Sequence, residues 1–279
     1  MEPRFEALAD CLLGAVEARG GGEVVSDIAL PYVVGCLTIL FDRPLDHGEW
    51  LSWGADVWDA GPGPRNGTVL AAYLDRVLGP NADVQGDRDM WAWIRSLEIA
   101  GRRVEPVEAH GIASLVLSGG RDTVVKLVSG LIWHLVQNSR DREEIEHRPD
   151  LIDSAVAEMT RWISPLPAMW RQTPDGAKVE LDFASANHDA EQWSNPDQID
   201  IRRPRQAHLA FGFGRHACMG KAVAEAEARI MLRVAITRLG RWEIASEPQI
   251  RWMRIVGTDS LVPAEFLRVP VVVRPAATS

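Results

Sequence analysis

Phe211-Gly212-Phe213-Gly214-Arg215-His216-Ala217-Cys218-Met219-Gly220 is the stretch on which the reading of this chain turns. Its glycines mark a tight loop, and a helical pattern from Met219 to Leu239 begins where the loop ends. A cysteine at such a junction has its sulfur near unpaired backbone N–H groups and the positive end of a helix dipole. Both favour the thiolate, the form that binds iron or attacks electrophiles. Glycines at 212, 214 and 220 allow the loop to wrap the sulfur, so that its N–H groups tune electron donation. On the residues alone three readings compete. A structural free cysteine leaves the glycines unexplained. A zinc site from His188, His208, His216 and Cys218 lacks the paired spacing of a zinc knuckle. A nucleophilic Cys218–His216 pair lacks an evident orienting Asp or Asn.

Around this loop lies a basic island. Arg202, Arg203, Arg205, Arg215 and Lys221 fall between Asp200 and Glu225 with no acidic residue among them, although the chain carries a net charge of −9. The overall charge disfavours nucleic acid, because no broad face would neutralise phosphates. The island suits an anionic ligand or an acidic partner, with chance clustering as the alternative on charge alone. With 279 residues, 46% hydrophobic and 25% charged, the composition is that of a folded globular protein, read as a single domain over 1–279. The uncharged run Ile28–Phe41 is too short for a membrane span and contains Pro31 and Gly35. The start has no secretory pattern, and three cysteines make no disulfide framework, so a reducing, cytoplasmic setting is expected.

Helical periodicity is expected over Phe5–Val16 (stripe Phe5, Leu8, Leu12, Val16), stopped by Gly20-Gly21-Gly22, and over Val69–Leu78 and Met90–Ile99. A breaker-rich loop is expected at 61–67. From His110 to Gln137 the pattern is apolar nearly all round, predicting a buried helix of about 40 Å. Asp150 is expected to cap a helix over 150–163 that stops before Pro165. Lys178–Ala184 and Val269–Val273 read as strands. The class is mainly α, or α+β with little sheet.

Inside the long helix, Gly119-Gly120-Arg121-Asp122-Thr123 places two glycines, each costing about 1 kcal/mol relative to alanine. One reading is close approach of a flat or bulky group, with Asp122 and Thr123 as a proton relay; the other is a helix kink with a capped break.

These motifs resemble those of the cytochrome P-450 family of haem-thiolate monooxygenases. The family's cysteine loop, Phe-x-x-Gly-x-(His/Arg)-x-Cys-x-Gly, is met by Phe211, Gly214, His216, Cys218 and Gly220. Its helix motif, (Ala/Gly)-Gly-x-(Asp/Glu)-Thr-(Thr/Ser), is met by Gly119, Gly120, Asp122 and Thr123, with Val124 in place of the last hydroxyl. Its Glu-x-x-Arg motif is met by Glu158 and Arg161, which on spacing alone reads as an exposed ion pair worth little. The resemblance implies a P-450-like helical fold shortened at its N-terminus, with haem b bound through Cys218 as axial thiolate ligand of the iron. It implies that Asp122 and Thr123 deliver protons, that Gly119 and Gly120 leave room over the haem, that Arg171, His208 and His216 hold its propionates, and that Phe211 shields the sulfur. It implies an oxidoreductase inserting one oxygen atom from O2 into a small apolar substrate, with electrons from a ferredoxin or flavin reductase docking on the basic island.

Departures from the family are expected to matter. The usual N-terminal part is not matched, so one haem flank would stand open unless a second copy or another partner covers it. The segment between Arg171 and Ala184 is short, Gln198 stands where an arginine would pair with the Glu-x-x-Arg motif, and Glu225 replaces an arginine. The alternative is therefore a non-catalytic protein that binds haem or an apolar ligand, a sensor or remnant of the same fold; a third reading makes Met1 a wrong start or fragment boundary.

Overall fold

The computed structural model describes residues 1–58 and 67–275. The chain opens with α1 (Glu2–Ala18), whose buried stripe is Phe5, Ala9, Leu13 and Val16, one residue round from the expected one; Leu8 and Leu12 are only half-buried. Gly21–Glu23 then forms a short strand, β1. The apolar run becomes a π-helical turn, Val25–Ala29, followed by α2 (Leu30–Phe41), which ends on left-handed Asp42. Two helices, α3 (His47–Ser52) and α4 (Thr68–Leu78), flank a segment that includes the expected loop, of which Gly67 alone is described.

Next come α5 (Met90–Ser96), capped by Asp89, and the small hairpin β2 (Glu98–Ile99) and β3 (Arg102–Arg103). The long helix, α6 (Pro106–Gln137), starts at a reciprocal capping box between Glu105 and Glu108 and runs about 48 Å at 1.5 Å per residue. Its second half is buried on nearly every side, from Val124 to Val136, while its first half leaves one face open. After α7 (Ser139–His147), a 3-10 turn at Pro149–Leu151 precedes α8 (Ile152–Ile163). Asp150 pairs with Arg148 at 2.8 Å and makes no cap, so the expected helix starts two residues late.

The hairpin β4 (Ala168–Gln172) and β5 (Lys178–Asp182) pairs antiparallel, and Phe183 begins α9 (Phe183–Asn187) instead of extending the strand. α10 (Lys221–Ala235) is shorter at both ends than the apolar pattern predicts. The last segment supplies β6 (Trp242–Ile244), β7 (Gln249–Arg254), β8 (Leu261–Arg268) and β9 (Pro270–Val273). β9 lies between β1 and β6, joining the two ends of the chain in one antiparallel sheet.

One hydrophobic cluster unites α1, α2, α6, α8 and α10. Within it Trp50, Trp91, Tyr73 and Phe41 pack edge to face, with centroids between 5.4 and 6.4 Å apart. Under them Arg43 is held by Asp46 and Asp89 at 2.7 Å each, a buried pairing that fixes the turn after α2. α6 packs against α2, α8 and α10, so it is the strut on which the remaining elements hang. Among the described residues no helix is long and apolar enough to cross a membrane.

Candidate functional site

The cysteine loop is a pair of one-turn 3-10 helices, Leu209–Phe211 and Gly214–His216, joined at glycines in the left-handed region. Gly212 has φ +67° and Gly214 φ +64°, and a Cβ on Gly212 would come within 3.2 Å of the carbonyl oxygen of His216. Glycine is therefore required at both positions for the turn. The loop closes on itself where the Cys218 N–H donates to the Phe211 carbonyl at 2.8 Å. Cys218 is exposed, and its Sγ lies 3.8 Å from where a Cβ of Gly220 would stand, an ordinary contact distance. Phe213 and Met219 beside it are each 84% exposed, which makes this an open apolar surface.

Phe211 and His208 share this loop with ring centroids 5.7 Å apart, and the Lys221 ammonium stands 5.6 Å from the Phe211 ring. Burial, reinforced by Lys221 and Arg161, pushes His208 down to about 4, so its imidazole is neutral at pH 7 and acts as a hydrogen-bonding group. Its Nδ1 accepts from the Ala210 N–H at 3.3 Å. His216 is exposed. The zinc alternative is not supported: among the described residues no group of three or more His, Cys, Asp or Glu side chains converges on a metal position.

The Glu158–Arg161 pair is buried, contrary to its reading as an exposed ion pair. Arg161 donates to both carboxylate oxygens at 2.9 and 2.8 Å, and its other N–H groups reach the carbonyls of Asn187, Pro196 and Gln198. A second arginine completes the group. Arg203 Nε donates to Glu158 Oε2 at 3.0 Å, and the Asp200 N–H donates to Oε1 at 3.0 Å. Burial alone would raise the Glu158 carboxyl; the arginines and the Asp200 N–H outweigh it and hold it below the usual range. This corrects the expectation at Gln198. Its carbonyl, not its side chain, meets the motif, and the arginine partner comes five residues later. The signal was available in the basic run Arg202–Arg205. The spacing that singles out Arg203 depends on the turn at Asn195–Gln198 and the one that follows, which no periodicity reveals.

On α6 the helix runs unbroken through Gly119-Gly120-Arg121-Asp122-Thr123, so the capped break does not occur. A Cβ at Gly119 would meet nothing within 4 Å, whereas one at Gly120 would stand 3.4 Å from Leu37. The open position is thus Gly119, and Leu115, one turn earlier on the same face, is exposed. Thr123 Oγ1 donates to the Gly119 carbonyl at 2.8 Å. Asp122 turns toward the segment after α3. It accepts from the Val57 N–H at 3.1 Å and from Arg121 Nη1 at 2.5 Å, and Arg121, itself buried, also binds the carbonyls of Trp50 and Gly54. Burial, against the pull of Arg121, raises Asp122 to about 6. Among the described residues no hydrogen bond or ion pair joins this group to the cysteine loop; α10, packed on α6, is the element that connects them.

Arg171 lies on β4, with Nη1 donating to the Trp170 carbonyl at 3.0 Å and Nε buried without a partner. An orphaned guanidinium N–H calls for an anionic or carbonyl acceptor. An exposed thiol on an apolar loop, an open helix face and this unpartnered donor together fit a flat apolar group with acidic substituents and one open coordination position, as haem has.

A family model described as Cytochrome P450 matches residues 171–251. Among curated relatives, the Steroid C26-monooxygenase of Mycobacterium tuberculosis is 30% identical over 283 residues, covering 94% of this chain and 73% of the relative. Cytochrome P450 107B1 of Saccharopolyspora erythraea is 26% identical over 269 residues, covering 90% of this chain and 66% of the relative. A solved structure described as that of a carbohydrate active P450 superposes with a TM-score of 0.86 at 26% identity, covering 99% of this chain and 74% of the other. The chain therefore spans two thirds to three quarters of the length of these relatives.

Proposed function

The chain belongs to the cytochrome P450 family of haem-thiolate monooxygenases, and from that premise we propose that residues 1–279 act as one haem-holding unit that inserts an oxygen atom from O2 into a small apolar substrate, with electrons from a separate ferredoxin or flavin reductase. The observation that carries this reading is Cys218, exposed at the end of a loop bent by two left-handed glycines. When bound, haem b would supply the oxygen-activating iron, and Cys218 would hold that iron through a thiolate, a ligand that favours O–O cleavage.

The chain's own residues divide the remaining work. Gly212 and Gly214 bend the loop that carries the thiolate, and Phe211 stands beside it. Arg171 and His216 offer donors to the propionates as charged or exposed groups, and His208 does so as a neutral imidazole. Glu158, Arg161 and Arg203 tie α8 to the segment that carries the cysteine loop, which fixes the loop's position without contact to the reacting atoms. Gly119 leaves space on the face where substrate lies. Thr123 holds a hydroxyl there, while Asp122, raised to about 6 by burial, is held by the Val57 N–H and Arg121 and would have to leave them to exchange protons with it. Of the basic island, Arg202, Arg203, Arg205 and Lys221 are paired with Glu144, Glu158, Asp153 and Glu225, so among the described residues Arg215 is the cation left to meet an acidic electron donor.

Thr123→Ala in the haem-loaded protein, supplied with a surrogate ferredoxin system, tests the reading. The expected result is continued consumption of reduced cofactor with a large fall in product. Unchanged product per cofactor consumed would reject the proton-holding role, and absence of turnover in the unaltered protein would favour the alternative, a haem-binding protein without oxygenation.

A further inference from the structure

Leu115, Gly119 and Thr123 follow one another along one face of α6, open or half-open. Lys126 is next on that face, and there the helix passes under the end of α8 and the β7–β8 hairpin: one turn further on, Gly130 meets Ile163 and Phe266. Lys126 is 8% exposed, and Nζ makes one hydrogen bond among the described residues, to the Pro165 carbonyl at 3.3 Å. An ammonium carries three donors, so two are left without an acceptor among the described residues.

A buried cation with a single neutral acceptor is costly unless something pairs with it. The charge that bears on it is Glu265 of β8, whose carboxylate is already engaged by Arg251 at 3.0 Å. On its own helix the nearest acid, Asp122 one turn back, is engaged by Arg121 and the Val57 N–H. Burial lowers the amine to about 8, which leaves it a cation at neutral pH. None of the roles assigned above uses it.

We propose that Lys126 is a substrate-recognition residue, whose ammonium at the buried end of the open α6 face pairs with the carboxylate of an apolar acid lying along that face toward Thr123 and Gly119. The proposal rests on the oxygenase reading of this site and narrows its substrate to amphipathic monocarboxylic acids. The axial rise from Gly119 to Lys126 is about 10 Å at 1.5 Å per residue, which suits a chain of medium length. A carboxylate answers both unpartnered donors with charge-assisted hydrogen bonds, which an alcohol or hydrocarbon does not.

The test is calorimetric titration of the full haem-loaded chain with decanoate and with decan-1-ol at pH 7. The unaltered protein binds decanoate more tightly by about tenfold, and Lys126→Met keeps decanol binding and loses the preference. Equal affinities in the unaltered protein, a preference that survives in Lys126→Met, or no binding of either probe overturns the assignment. Should that variant fail to fold, the unaltered protein gives the same answer. Decanoate affinity falls about tenfold per pH unit above 8, where the Lys126 amine loses its proton beside the Glu265–Arg251 pair, while decanol affinity stays level; a level decanoate curve overturns it. The thiolate spectrum of the same samples separates the two readings. A lost preference with that spectrum intact removes the acid site alone, and a missing spectrum with the preference kept removes the oxygenase reading alone.

Discussion

Glu227→Gln removes the decline in stability that the Glu227 carboxyl imposes between pH 4.5 and 8. Glu227 is 1% exposed on α10, its Oε1 has no partner, and the Tyr32 hydroxyl donates to its backbone carbonyl at 2.9 Å instead of to its carboxylate. Burial therefore raises the carboxyl from 4.5 to about 8. The folded protein keeps a proton that the unfolded chain releases above 4.5, so the contribution of this group to stability is greatest below that pH, declines as pH rises to 8, and is level beyond. At 1.36 kcal/mol per pH unit the decline is about 5 kcal/mol. Glutamine keeps the volume and cannot ionise, but it buries an unpaired amide at about 1–3 kcal/mol. The variant is then less stable than the unaltered protein at pH 4.5 and more stable by about 2–4 kcal/mol at pH 8. Urea unfolding followed by circular dichroism at pH 4.5, 6, 7 and 8 reads both curves. Parallel curves for the two proteins would refute the reasoning.

Arg203→Gln lowers stability by about 2 kcal/mol in the same assay, since Glu158 stays buried with one arginine instead of two, whereas Gln198→Ala changes it by less than about 0.5 kcal/mol. Arg171→Leu removes a buried unpartnered donor, so stability without haem is unchanged or higher while haem is lost about tenfold faster to apomyoglobin; unaltered haem loss would take Arg171 out of the binding site.

The long helix, the cysteine loop and the Glu-x-x-Arg pair were legible because each combines a local pattern with an unusual residue: paired glycines in an apolar run, glycines around a cysteine, opposite charges one turn apart. The β7–β8 hairpin was not legible, since Gln249–Arg254 mixes charges with Ile250, Trp252 and Met253 and is half-exposed on both faces. The late start of α8 follows from Pro149, which favours a 3-10 turn before the helix and leaves Asp150 facing Arg148. The burial of Glu158 and the anchoring of Asp122 by Arg121 depend on groups 42 to 71 residues away, such as Asp200, Arg203, Trp50 and Val57. Spacing along the chain carries no record of such partners. Lys126 was hidden for the same reason: within an apolar run it reads as a polar interruption, and only the hairpin laid over it makes it a buried cation.

The central claim, a haem held through the Cys218 thiolate, is tested most directly by the absorption spectrum of the haem-reconstituted chain, reduced and exposed to carbon monoxide, beside Cys218→Ala. Cys218 is exposed and its side chain supports no packing, so the variant keeps its fold. A strongly red-shifted Soret band in the unaltered chain that vanishes in Cys218→Ala is the predicted result. A band without that shift, or one that survives the substitution, would contradict the assignment.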